Sequence, residues 1–162
     1  MVKIVLKDSQ GYDVKDLTES LRTIRTFPVG FTGNVNGEGC IDISIVKTSN
    51  TYTFKFEVPD GFKRKGLMSY YFCKCLIVLL GEEQPFEIRL KLTGDALQLY
   101  KGGKNIYETY LNLKSFSTPT YEFDDNEKEC TVKFYDSFSD HINELKKMEE
   151  KAYQKILAGR WG

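Results

Sequence analysis

The chain has 162 residues, the length of one ordinary domain. Its 23 basic and 23 acidic residues cancel, which excludes a nucleic-acid-coating protein and an acidic DNA mimic as whole-chain effects. Apolar residues make up 41% and aromatics 14%, too much for a disordered tail. A chain of this size buries about two-thirds of its unfolded surface, so its core needs no metal or disulfide.

The first predicted element is a short strand over Val2–Leu6. Val14, Leu17, Leu21 and Ile24 then recur at three- and four-residue spacing. That spacing predicts a helix over Asp13–Ile24, capped by Asp13 and stopped before Pro28. Phe31–Val35 leads into Asn36-Gly37, the dipeptide of a tight type I′ hairpin turn. Ile41, Ile43 and Ile45 alternate after it, and Tyr52, Phe54, Phe56 and Val58 alternate after a second turn at 48–50. The result is a three-strand antiparallel meander with Asp42, Ser44, Lys55 and Glu57 on the opposite face. Pro59 and Gly61 break the third of these strands.

The apolar stretch Leu67–Leu80 is too long for a typical strand and reads as a helix ending at Gly81. Pro85–Leu92 alternates as a strand. Because a helix intervenes, this strand is expected to run parallel to the last meander strand. A short helix over Asp95–Tyr100, a strand over Ile106–Leu113 and a hairpin of Tyr121–Phe123 with Cys130–Tyr135 follow. Ser139–Leu157 is an amphipathic helix with Ile142, Leu145, Met148, Ala152, Tyr153 and Ile156 on one side. The order predicts an α+β, or mixed α/β, fold around one sheet.

Cys40, Cys73, Cys75 and Cys130 lack zinc-knuckle spacing, and His141 is the single histidine. They read as idle thiols in a reducing compartment, with no metal site. The acidic tip around Asp124, Asp125, Glu127 and Glu129 has no EF-hand pattern. No apolar run approaches the ~20 residues needed to cross a bilayer, and the N-terminus has no signal-peptide pattern. The expectation is a cytoplasmic protein that uses neither membrane nor nucleic acid.

One segment points to chemistry. After the strand ending at Val58 comes a loop with Lys63, Arg64, Lys65 and Gly66, and then a helix start at Leu67. A helix N-terminus leaves backbone N–H groups unpaired and carries partial positive charge, which suits phosphate.

At this segment the chain resembles the GNAT superfamily of N-acetyltransferases. Val58 matches the family's strand-end valine, Phe62 its aromatic and Gly66 its first loop glycine. Lys63 and Met68 depart from its usual Arg or Gln and its usual Gly or Ala. A second short motif, Ala96, Leu99 and Tyr100 followed by Gly102-Gly103, matches in spacing, with Thr93 in place of asparagine. The resemblance extends over roughly residues 1 to 115 by order of elements.

It implies a GNAT-like single mixed sheet flanked by helices. Residues 1–162 would form one domain, with the core over 1–135 and an added helical extension over 136–162. It further implies that acetyl-CoA lies along Phe56, Glu57 and Val58. Its pyrophosphate would sit on Lys63, Arg64, Lys65, Gly66, Leu67 and Met68. Tyr100 would protonate the leaving thiolate. Glu57, or in second place Glu87, would be the base. The implied activity is direct acetyl transfer to an amine-bearing acceptor of unspecified class. The alternative is a catalytically inactive GNAT-like binding or inhibitory protein. A homodimer or a protein partner would use the C-terminal helix.

Overall fold

The computed structural model describes residues 2–22, 29–48, 51–62, 65–79, 87–92, 120–123, 130–134 and 142–159. The helix expected over Asp95–Tyr100, the strand expected over Ile106–Leu113 and the acidic tip lie outside these residues, as do Lys63, Arg64 and Tyr100.

Among the described residues, seven strands form one sheet in the order β1-β2-β3-β4-β5-β7-β6. They are β1 (Ile4–Asp8), β2 (Val29–Val35), β3 (Glu38–Thr48), β4 (Thr51–Glu57), β5 (Glu87–Leu92), β6 (Thr120–Phe123) and β7 (Cys130–Phe134). The α-helices among the described residues are α1 (Leu17–Arg22), α2 (Leu67–Leu79) and α3 (Ile142–Ala158). Strands β1 to β4 pair antiparallel in sequence order. β4 and β5 are parallel, as the crossover required. β7 inserts between β5 and β6, antiparallel to both.

The β2–β3 hairpin forms as its turn chemistry dictates, with Asn36 at φ 52° and Gly37 at φ 85°. A register shift between Gly33 and Asn34 follows. It lets adjacent residues of β3, Cys40 and Ile41, both be buried, at 0% and 1% exposure. Otherwise the alternation holds. Ile41, Ile43, Ile45, Tyr52 and Phe54 are buried in one core, while Asp42 is exposed on the other face.

The first helix starts later than its periodicity suggested. Asp13 forms an isolated bridge with Lys7 and an ion pair with it at 3.4 Å, so it extends the edge of β1 instead of capping a helix. Asp16 is the cap. Its Oδ1 accepts the Glu19 N–H at 3.3 Å, and its carbonyl accepts the Ser20 N–H. Val14 belongs to the same edge, since its N–H reaches the Leu6 carbonyl at 2.8 Å.

α2 is apolar almost all round because it is covered on more than one side. Leu67, Tyr71, Phe72, Cys73, Cys75, Leu76 and Leu79 are all buried. The sheet takes one side. α3 lies antiparallel along another, with Leu145 and Ile156 fully buried in the same core. Lys74 pairs with Glu149 at 3.2 Å, and the Tyr70 and Tyr153 rings stack at 5.8 Å.

Candidate functional site

The site forms where β4 and β5 end. Their parallel ladder runs from Thr51↔Glu87 to Phe54↔Leu90. Beyond it, β4 stays paired with β3 as far as Asp42↔Glu57, and β5 stays paired with β7 as far as Leu92↔Cys130. The two strands are thus each held on their outer side while they part from one another. Among the described residues, backbone groups of β4 from Lys55 to Glu57 have no β5 ladder partner, and such groups demand a partner from the chain, from water or from a ligand. The carboxyl ends of parallel strands at a change of strand order are the usual ligand position in open sheets.

Three aromatic rings brace the opening. Phe54, Phe56 and Phe72 are mutually stacked, with centroids 5.9–6.1 Å apart and interplanar angles of 6–17°. Phe56 therefore turns its ring toward α2, and only its backbone belongs to the strand edge. Glu57 lies on the opposite face, exposed, with its carboxylate 3.4 Å from the Lys55 ammonium. Asp42 stands directly across from it on β3 and accepts a bond from the Thr32 hydroxyl at 3.2 Å.

After Val58 the chain makes one tight turn, Asp60–Phe62, closed by the Phe62 N–H on the Pro59 carbonyl at 2.9 Å. Phe62 and Val58 pack against the core. The chain then enters α2. Gly66 is its cap residue, and its carbonyl accepts the Tyr70 N–H at 3.0 Å. The N–H groups of Leu67, Met68 and Ser69 have no intrahelical acceptor, as in any first helical turn. Leu67 is buried. Met68 is half-buried and packs against the core, so its side chain does not lie open across the loop. Lys65 is half-buried beside this turn.

Gly66 has a structural reason of its own. It sits at φ 90°, a backbone region that side-chain-bearing residues rarely adopt. A Cβ there would stand 3.0 Å from the Ala152 carbonyl oxygen and 3.4 Å from Lys155 Cβ. The last turns of α3 are thus seated on the loop that opens α2. Sequence reasoning did not find Ala152 or Lys155 as neighbours of this loop. No local signal links them to it, because the contact is made by helix docking alone.

The structure therefore brings the β4 edge, Lys65, Gly66, Leu67 and Met68 to one end of the sheet. Cys73 and Cys75 of α2 belong to the core. Burial pushes Cys73 and Cys75 up to about 12, and both are protonated core groups. Cys40 is raised as well by burial, and its Sγ donates to the Glu38 carbonyl at 3.2 Å. No group of three or more His, Cys, Asp or Glu gathers among the described residues. No helix among them is long and apolar enough to cross a membrane.

No protein-family model and no curated protein matches the chain. Solved structures do resemble it. An uncharacterised protein from Bacillus halodurans, 7% identical, aligns with a TM-score of 0.52 over 83% of this chain and 70% of that one. The GNAT domain of S. lividans PAT aligns at 13% identity and a TM-score of 0.46, over 77% of this chain and 72% of that one. A Bacillus subtilis acetyltransferase in complex with CoA aligns at 11% identity and a TM-score of 0.46, over 82% and 99%. At such identities the likeness is one of fold. The chain's own topology is a mixed α+β fold: a meander, a parallel β4–β5 pair with a helix between them, and β7 and β6 antiparallel beside β5.

Proposed function

We propose that the chain is an N-acetyltransferase that takes its acetyl group from acetyl-CoA. The observation that carries this reading is the parting of β4 from β5 beyond Phe54 and Leu90, directly before the N-terminus of α2. A strand edge with free backbone groups accepts an amide-bearing chain as another strand would, and acetyl-CoA carries amides between its thioester and its diphosphate. The residues present fit that ligand. The β4 edge at Phe56, Glu57 and Val58 would hold the amide arm. The N–H groups of Leu67 and Met68, with Lys63, Arg64 and Lys65, would hold the diphosphate.

Bound there, acetyl-CoA supplies an activated acyl group as a thioester. The chain's own residues supply the rest. Backbone N–H groups near Val58 polarise the carbonyl. Glu57, exposed on β4, removes a proton from the acceptor ammonium, because only the neutral amine attacks. Tyr100 gives a proton to the departing thiolate, a transfer between groups of comparable basicity. The acceptor is an amine whose class this reading leaves open.

Titration with acetyl-CoA tests the proposal. With a Kd of 100 μM, 1 mM ligand adds about 1.4 kcal/mol to stability, a rise in Tm of roughly 3–6 °C for a chain of this size. No rise and no binding heat at millimolar acetyl-CoA would remove it. A second reading, a binding or inhibitory protein without catalysis, has one observation in its favour. The seat of Ala152 on Gly66 explains the loop glycine without any ligand. That reading predicts a folded protein indifferent to acetyl-CoA.

A further inference from the structure

We propose that α3 contributes a cation, Lys155, to the anion-binding end of this site. The inference rests on the acetyl-CoA reading above and adds a residue from outside the two motifs that carry the family resemblance.

The contact between α3 and Gly66 carries it. Lys155 Cβ and Cδ lie 3.4 and 3.5 Å from the position a Cβ would take on Gly66. The stem of Lys155 therefore runs along the residue that caps α2, and its ammonium begins two bonds beyond that contact. Lys155 is exposed and makes no ion pair among the described residues.

The two acids of α3 nearest to Lys155 in sequence are engaged elsewhere. Glu149 is bound to Lys74 at 3.2 Å, and Glu150 accepts from Gln154 Nε2 at 2.8 Å. Among the described residues the charge of Lys155 is thus left without a carboxylate partner beside Gly66. Its location is fixed by a well-anchored helix, since Leu145 and Ile156 are fully buried and Tyr153 stacks on Tyr70. The apolar stem on Gly66 holds the side chain in place, and the ammonium is free to meet a diphosphate.

A simpler role for Lys155 is to offset the negative end of its own helix. That role affects folding stability and leaves ligand affinity alone. The stem's packing is a third role, and it survives if the stem is kept without its charge.

Calorimetric titration of CoA into the wild type, Lys155→Met and Lys155→Arg, at 50 mM and 500 mM NaCl, separates these. Methionine keeps a long stem without charge, and arginine keeps the charge. The expected result is about three- to tenfold weaker binding for Lys155→Met at low salt, with Lys155→Arg close to wild type. The gap should close at 500 mM NaCl, where exposed charges are screened. Equal CoA affinity of wild type and Lys155→Met at 50 mM NaCl would overturn the inference and leave the acetyl-CoA reading standing. A wild type that binds no CoA at either salt would overturn both.

Discussion

Gly66 and Ala152 meet where the loop before α2 touches α3. A side chain at Gly66 would begin 3.0 Å from the Ala152 carbonyl oxygen, and the Gly66 backbone is already at φ 90°. Two independent penalties therefore fall on any substitution there. Gly37, at φ 85° with open space around it, carries only the backbone penalty.

The comparison is measurable by urea denaturation. Gly37→Ala should cost about 1–2 kcal/mol, the penalty of a left-handed residue. Gly66→Ala should cost about 2–4 kcal/mol, because close packing adds to it. Equal losses would mean that α3 does not press on the loop. The same result bears on Gly66→Glu as a site variant: its effect on acetyl-CoA is readable only after its effect on folding is known.

Leu145 is fully buried although it lies in the helix furthest from the sheet's first strand in sequence. If α3 completes the core, Leu145→Ala should lose about 2–5 kcal/mol in a single cooperative transition. A loss under 1 kcal/mol, or a separate early transition, would make α3 an appended arm.

Tyr71 is 2% exposed, and its hydroxyl has no hydrogen-bond partner among the described residues. Its ring fills the space left by Gly33, where a Cβ would stand 2.7 Å from Tyr71 Cε2. Removing the hydroxyl keeps the ring and discards an unsatisfied polar group. Tyr71→Phe should therefore be neutral or stabilising by up to about 1 kcal/mol. A clear destabilisation would reveal a partner for the hydroxyl in solution.

Alkaline pH should unfold the protein progressively. Burial raises Cys73 and Cys75 from near 9 to about 12, and it lifts Tyr71 above the usual phenol range. Raised values mean that the folded state favours the protonated forms. Their contribution is fully present below the unfolded values and is lost as pH rises toward the folded ones. The denaturation midpoint should stay level across neutral pH and fall above about pH 9. Replacing Cys73 and Cys75 by alanine should flatten that fall, and an unchanged slope would exclude the thiols as its cause.

The proposed chemistry has its own variants. Tyr100→Phe should lower kcat at least tenfold, within the range of general acid catalysis, with little change in acetyl-CoA affinity. Glu57→Gln should depress the rate most at neutral pH, where the acceptor must lose a proton. Unchanged turnover in either variant would remove the role assigned to that residue.

What was legible in the sequence was local. Alternating Ile41, Ile43 and Ile45 against Tyr52, Phe54 and Phe56 specified half-buried strands, and Asn36-Gly37 specified their turn, because strand period and turn dihedrals depend on near neighbours. The crossover through α2 made β4 and β5 parallel for the same kind of reason. The opening of the site was partly legible too, as a strand end, a basic loop and a helix start in immediate succession. Asp13 misled because a carboxylate before an apolar period caps a helix or pairs with a strand edge equally well, and only Lys7 across the edge decided it.

The tertiary structure alone decided the rest. α2 showed no clear amphipathic face because the sheet and α3 cover different sides of it, and no periodicity reports a second cover made by distant residues. The parting of β4 from β5 depends on β3 and β7 holding each strand separately. The seat of Ala152 and Lys155 on Gly66 depends on how two helices dock. Local sequence sets which residues want burial or a turn. Which burial partner each one finds is settled by packing across the whole chain, and the candidate site lies at such a junction.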